Sequence, residues 1–160
     1  MFERVVIDPA VRAALVGHAR SLPGKETGGI LLGLGIDVTT LKLTRASPPG
    51  PRAVHHRFAF SRDTRFLQRY LDDIYDRTAG DEDYVGEWHV HPALDAPPSR
   101  VDRRSLWRIA RRPNYATDNP ILLIVEHVPP EHRLRAYGFE ARPRRIWGEL
   151  TLATNPQTEL

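Results

Sequence analysis

The chain contains no cysteine. That excludes disulfides, iron–sulfur clusters, cysteine nucleophiles and thiolate-held structural zinc. Any metal or catalytic centre must be assembled from His, Asp, Glu, Ser and similar side chains. Lysine is nearly absent: Lys25 and Lys42 are the only two, so almost all positive charge is arginine. No apolar run approaches the ~18 residues of a membrane span, and the opening MFERVVIDPA lacks the basic-then-apolar order of a signal peptide. The expectation is a cytoplasmic protein with no membrane partner. Net charge is also small, with 23 Lys and Arg against 20 Asp and Glu giving +3, although the pI is about 9.6. Arginine suits carboxylates and phosphates alike, so composition does not choose between them. No arginine run carries the interleaved aromatics of a single-strand binder, so no nucleic-acid partner is expected.

What is present suits one folded domain: 160 residues, 41% hydrophobic and 27% charged. Residues 3–7 read as a short strand, and Asp8-Pro9 as a helix N-cap followed by proline at the first helical position. Val11, Ala14, Leu15, Ala19 and Leu22 continue a helical stripe that Pro23-Gly24 stops. The glycine-bounded run 28–33 reads as a buried strand, 41–44 as a half-exposed neighbour, 47–51 as a proline-rich loop and 57–60 as a further strand. Ser61 is expected to cap a helix whose pairs Phe66/Leu67, Tyr70/Leu71 and Ile74/Tyr75 recur every four residues. A strand over 84–91, a helix over 100–111, an apolar central strand over 121–125 and its hairpin partner over 134–139 complete the pattern. It predicts one mixed α/β domain over residues 1–153 with a loose tail at 154–160.

The chemistry gathers in a few positions. His89 and His91 are two apart on a strand, hence on one face, and can share a divalent ion. A catalytic zinc takes three protein ligands and keeps one open position. Asp102 can be the third, because it shares a helix face with Leu106 and Ile109 while Arg100, Arg103, Arg104, Arg108 and Arg111 mostly cover the other. A carboxylate turned inward needs a strong partner. Alternatively, Ser99-x-x-Asp102 is a capping box, a reading that leaves the histidine pair unexplained. Glu26 stands just before the glycine-bounded strand. It can act as general base if that strand packs beside the histidine strand, with Gly28 and Gly29 permitting close approach.

Glu26-Thr27-Gly28-Gly29-Ile30-Leu31-Leu32-Gly33, then His89-Val90-His91-Pro92 and, after the seven residues Pro92–Pro98, Ser99-x-x-Asp102, together resemble the JAMM/MPN+ (JAB) metalloproteases. The string Tyr84–Pro92 is similar to that of the bacterial single-domain deconjugating peptidases of antiphage operons, encoded beside E1-like and E2-like enzymes. The resemblance implies an MPN-type, cytidine-deaminase-like mixed β-sheet flanked by helices. It implies one catalytic Zn2+ on His89, His91 and Asp102, with Glu26 as the base acting on water and Ser99 as donor to the oxyanion. The implied substrate is a ubiquitin-like protein, as a lysine conjugate or a precursor, with the E1-like and E2-like enzymes as further partners. Its extended tail is expected to add as a strand at a sheet edge near the metal. Val90 departs from the family's usual Ser or Thr but should face away from the metal.

Other readings stand beside this one. Glu87 shares the face of His89 and His91 and is a rival base, with a supporting role toward an imidazole or an arginine as the alternative. Trimming of sulfur-carrier proteins and a non-catalytic MPN scaffold are the alternative functions. His55 and His56 point to opposite faces, His18 belongs to packing or surface, and His127 with His132 flank Pro129-Pro130 as a remote second metal pair. Trp88, Trp107 and Trp147 are expected in the core. The arginine stripe over 100–111 is a solvated face unless it meets an acidic partner.

Overall fold

Glycine-bounded apolar runs and proline-punctuated loops give nine strands and three α-helices among the described residues, 2–112, 115, 117, 119–140 and 145–154 of a computed structural model. Strand β1 (Arg4–Ile7) leads into α1 (Pro9–Ser21). Strands β2 (Thr27–Gly35), β3 (Thr40–Ala46), β4 (Val54–His55) and β5 (Phe60–Ser61) precede α2 (Thr64–Arg77). Strand β6 (Asp83–His91), α3 (Arg100–Ala110), β7 (Ile121–Val128), β8 (Glu131–Glu140) and β9 (Arg145–Thr154) follow.

Seven strands form one sheet in the order β1-β3-β2-β6-β7-β8-β9, and parallel pairing of β9 with β1 closes it into a barrel. Closure does not pair every strand on both sides along its whole length: β2 pairs with β6 from Thr27 but with β3 only from Leu31, and β9 meets β1 only at Thr151–Thr154. The only other pairing among the described residues is the β4–β5 ribbon, Val54 with Ser61 and His55 with Phe60. This ribbon replaces the continuous strand expected over 57–60: Arg57, Phe58 and Ala59 are exposed at its turn.

Alternation along the strands sorts side chains onto two faces. Val5, Leu31, Leu41, Trp88, Leu123, Ala136 and Leu150, one from each of the seven strands, share a core with Val11, Leu15 and Ala19 of α1. On the opposite face, Ile30, Leu32 and Tyr84 pack with Leu67 and Ile74 of α2, and Leu122, Ile124, Tyr137 and Phe139 with Leu106 and Ala110 of α3. Truncating one such buried leucine to alanine costs about 2–5 kcal/mol. Trp88 is fully buried as expected; its indole stacks on His18 at 5.2 Å and donates to the Ser47 carbonyl at 3.0 Å. Trp107 is half-buried against the α3 core, and the Trp147 side chain lies outside the described residues.

Three local expectations change. Helix α2 is capped by Asp63, not Ser61: the Asp63 carboxylate accepts the Phe66 N–H at 3.1 Å and the Arg52 N–H at 3.0 Å. Two backbone donors favour a carboxylate over a hydroxyl. Asp8 occupies the N-cap of α1 without a side-chain cap, its carboxylate lying 3.4 Å from Lys42 instead. Strand β9, unanticipated, closes the barrel, and Thr154 pairs with Ile7 rather than opening the tail. Residues 155–160, where a loose tail was expected, lie outside the described residues. No helix among the described residues is long and apolar enough to cross a membrane.

Candidate metal centre

The site is built where the C-terminal end of β6 meets the first turn of α3. Strand β6 pairs antiparallel with β2 and parallel with β7, placing His89 opposite Gly28 and beside Ile124, and His91 beside Glu126. A side chain at Gly28 would collide with the Trp88 carbonyl at 2.5 Å and the Phe60 ring at 2.6 Å, and one at Gly29 with Ser47 Oγ at 2.5 Å. Glycine at both positions lets β2 and the loop after β3 close on the histidine strand.

His89 and His91 point to the α3 side, as the two-residue spacing requires. Helix α3 starts with a reciprocal cap, as the sequence suggested: Ser99 Oγ accepts the Asp102 N–H at 3.2 Å and Asp102 Oδ2 accepts the Ser99 N–H at 2.7 Å. The cap and the inward turn of Asp102 are therefore the same structure, not rival explanations. Asp102 is 8% exposed, with Oδ1 2.9 Å from His89 Nδ1 and Oδ2 3.7 Å from His91 Nε2. Ligand atoms of the three residues lie within 4.8 Å of one another, and they are the one group of three or more metal-capable side chains found among the described residues. His127 and His132 face each other across β7–β8 without joining such a group.

Electrostatics fits a cation. Burial alone would raise Asp102, but the bonds from the His89 ring and from Ser99 hold its carboxyl well below the usual range. Burial pushes His89 down, yet its bonds to Asp102 and Glu87 leave it raised overall, whereas burial leaves His91 lowered. His91 Nδ1 lies 3.2 Å from the Ala96 carbonyl, so that nitrogen carries the proton and Nε2 presents its lone pair toward Asp102. Two imidazoles and a carboxylate, one imidazole nitrogen already fixed by an acceptor, is a donor set suited to zinc or a similar divalent ion.

Glu26 lines the same cleft, of about 740 Å³, together with Phe58, Arg62, His89, Ser99 and Asp102. It lies just before β2, where its N–H donates to the His56 carbonyl at 2.8 Å and its own carbonyl lies 3.3 Å from His55 Nδ1. Both backbone groups are thus tied to the β4–β5 ribbon. Burial and then the nearby Asp102 carboxylate raise the Glu26 pKa, and His89 partly offsets them. Glu87 is 1% exposed, fork-bonded to the Arg62 guanidinium, with Oε2 3.5 Å from His89 Nε2. A carboxylate engaged in this way is a poor proton shuttle. Arg62 also reaches to 3.3 Å from His89 Nε2 and stands over the Phe60 ring at 5.9 Å. Arg62 was not singled out from the sequence, where it is one arginine among many.

Residues 8–138 match the family described as prokaryotic homologs of the JAB domain. The chain belongs to that JAB family. Among its JAB relatives, a protein named probable metalloprotease y4qB of Sinorhizobium fredii is 31% identical over 120 residues, covering 74% of this chain and 73% of that one. A CD-NTase/cGAS isopeptidase of Enterobacter hormaechei is 31% identical over 127 residues, 76% of this chain and 66% of that one. A desampylase of Haloferax volcanii is 33% identical over 109 residues, 65% of this chain and 74% of that one. The solution structure of protein DSY2949 from Desulfitobacterium hafniense, 20% identical, superposes with a TM-score of 0.71 over 97% of this chain and 95% of that one, a likeness of fold. As a JAB-domain protein with this triad, the chain is a metalloprotease-type hydrolase.

Proposed function

We propose that this JAB protein is a zinc-dependent isopeptidase or peptidase that cuts after the C-terminal tail of a ubiquitin-like protein. It would release that protein from a lysine amine or trim its precursor, in the cytoplasm, within a bacterial antiphage system that includes E1-like and E2-like enzymes. The catalytic domain would span residues 1–153 plus the last residue of β9. The observation that carries the reading is the placement of Glu26, a carboxylate of raised pKa, in one cleft with His89, His91 and Asp102. The isopeptidase and desampylase names of the relatives support the substrate class.

His89, His91 and Asp102 would hold the ion. When bound, zinc supplies a Lewis acid for the scissile carbonyl and lowers the pKa of water. Glu26 takes the proton of the attacking water on its carboxylate and hands it to the departing amine. Ser99 Oγ accepts the Asp102 N–H, which leaves its own O–H proton free to donate to the developing oxyanion. Glu87 and Arg62 orient His89 without entering the chemistry. Phe58 and Val101, 80% and 76% exposed, both line the cleft and offer apolar contacts to an extended tail, and the β4–β5 ribbon offers it a backbone to pair with.

The test is incubation with ubiquitin-like fusions and lysine conjugates, with and without chelator. Cleavage directly after the tail, abolished by chelator and restored by zinc, is expected. A zinc-loaded protein that cuts none of them would return the chain to the scaffold reading.

A further inference from the structure

Glu126 ends the apolar run of β7 and is fully buried, an unusual place for a carboxylate without a partner of equal strength. Its Oε1 accepts the Ala96 N–H at 2.9 Å and lies 3.4 Å from Arg135 Nη1. Arg135 is itself forked onto Glu149 at 3.0 and 2.8 Å. The Ala96 carbonyl in turn accepts the Nδ1–H of His91 at 3.2 Å. His91 and Glu126 are register neighbours on the parallel pair β6–β7, so the chain of contacts leaves His91, crosses the loop after β6 and returns beside it.

We infer that Glu126 is a positioning residue for the metal centre. It pins the backbone of Ala96, and the pinned carbonyl selects the His91 tautomer that keeps Nε2 bare and aimed at Asp102. The loop needs such an anchor. It carries Pro92, Pro97 and Pro98, which have no N–H to bond, and turns through the left-handed region at Asp95 (φ 52°). The Ala96 N–H is the amide that a carboxylate from the neighbouring strand can reach. Supporting groups of this kind typically change metal affinity about 10–100-fold when removed. The inference rests on the reading of His91 as a ligand, and it adds the residue that makes His91 competent before any ion arrives.

The test uses the full chain. Imidazole nitrogen shifts of the metal-free wild type should show His91 protonated at Nδ1, and the Ala96 amide should be protected from hydrogen exchange. Glu126→Ala should lose both features and bind zinc roughly 10–100-fold more weakly. Glu126→Gln, whose amide oxygen can still accept from Ala96, should recover most of the affinity. A wild-type His91 protonated at Nε2, or an unprotected Ala96 amide, overturns the inference even if Glu126→Ala fails to fold. So does a folded Glu126→Ala with unchanged tautomer and zinc affinity within threefold of wild type. Failure of the wild type to bind zinc overturns the ligand assignment instead, and the tautomer measurement still decides the part played by Glu126.

Discussion

His89 Nδ1 and Asp102 Oδ1 lie 2.9 Å apart although they come from a strand and a helix thirteen residues apart in the chain. The Asp102 carboxylate accepts this bond from the imidazole, and the two side chains would together help hold a divalent ion, which requires both in their deprotonated forms. Replacing Asp102 with alanine removes a ligand and half of the α3 cap together. Zinc affinity should fall by more than the roughly 100-fold typical of losing a supporting group. The lost cap should cost about 1 kcal/mol, or roughly 3 °C in Tm. Calorimetric titration with zinc and a thermal melt check the two effects separately, and an unchanged dissociation constant would remove Asp102 from the ligand set.

Glu26→Gln preserves side-chain size and removes the basic oxygen. Hydrolysis of a ubiquitin-like fusion should drop by about 10²–10⁴-fold, with zinc content and Tm as in the wild type. Glu87→Gln should behave differently, losing stability because the half-buried Arg62 guanidinium loses its anionic partner. Equal loss of turnover in both variants with intact stability would restore Glu87 as a candidate base.

The Arg62–Glu87 pair is a stability element as well. Arg62→Met removes the fork-bonded cation from a fully buried carboxylate, leaving it only His89 Nε2 at 3.5 Å, and should destabilise by about 3 kcal/mol, lowering Tm on the order of 10 °C. Changing both residues to methionine should recover much of the loss, because the penalty comes from the orphaned charge. Urea denaturation of the two single variants and the double variant measures this, and a double variant worse than the sum of both singles would contradict it.

Glu82 carries a share of the acid sensitivity. Burial would raise its pKa, but bonds from the Thr44 hydroxyl at 2.5 Å and the Arg45 guanidinium at 2.9 Å lower it overall. A lowered folded-state pKa means the stabilisation is present above the unfolded carboxylate range and is lost as pH falls through the folded value. Glu82→Gln should therefore lower Tm by roughly 3 °C near neutrality, for a cost of about 1 kcal/mol, and by less near pH 3. Melts across that range check the convergence; a constant gap would sink the assignment.

Much of the centre was legible because its residues obey local rules. His89 and His91 share a face by strand alternation, and Ser99 and Asp102 share a helix start by capping chemistry. The paired supports were not legible. Glu87 was visible on the histidine face, but nothing local to Arg62 or Glu126 says which carboxylate or amide each will meet. Glu126 did leave a trace, as a carboxylate continuing the wholly apolar run Ile121–Val125. The exposed turn at Arg57–Ala59 looked like strand because Phe58 and Phe60 alternate with Arg57, Ala59 and Ser61, as in a half-buried sheet. Exposure of Phe58 belongs to the cleft, not to the core.

Helical and strand periodicity was enough to read most of the element order, though not β9 or the β4–β5 ribbon. The sequence by itself also determined the chemistry, because without cysteine a metal can be held here only by imidazoles and carboxylates. Tertiary structure alone decided that the sheet closes through β9 on β1, that Glu26 faces the histidines, and that Arg62 and Glu126 support one imidazole each. Periodicity is a property of neighbours along the chain, whereas these contacts depend on which distant strands pair and in what register. Register is set by how the two faces of the sheet pack, one against α1 and the other against α2 and α3.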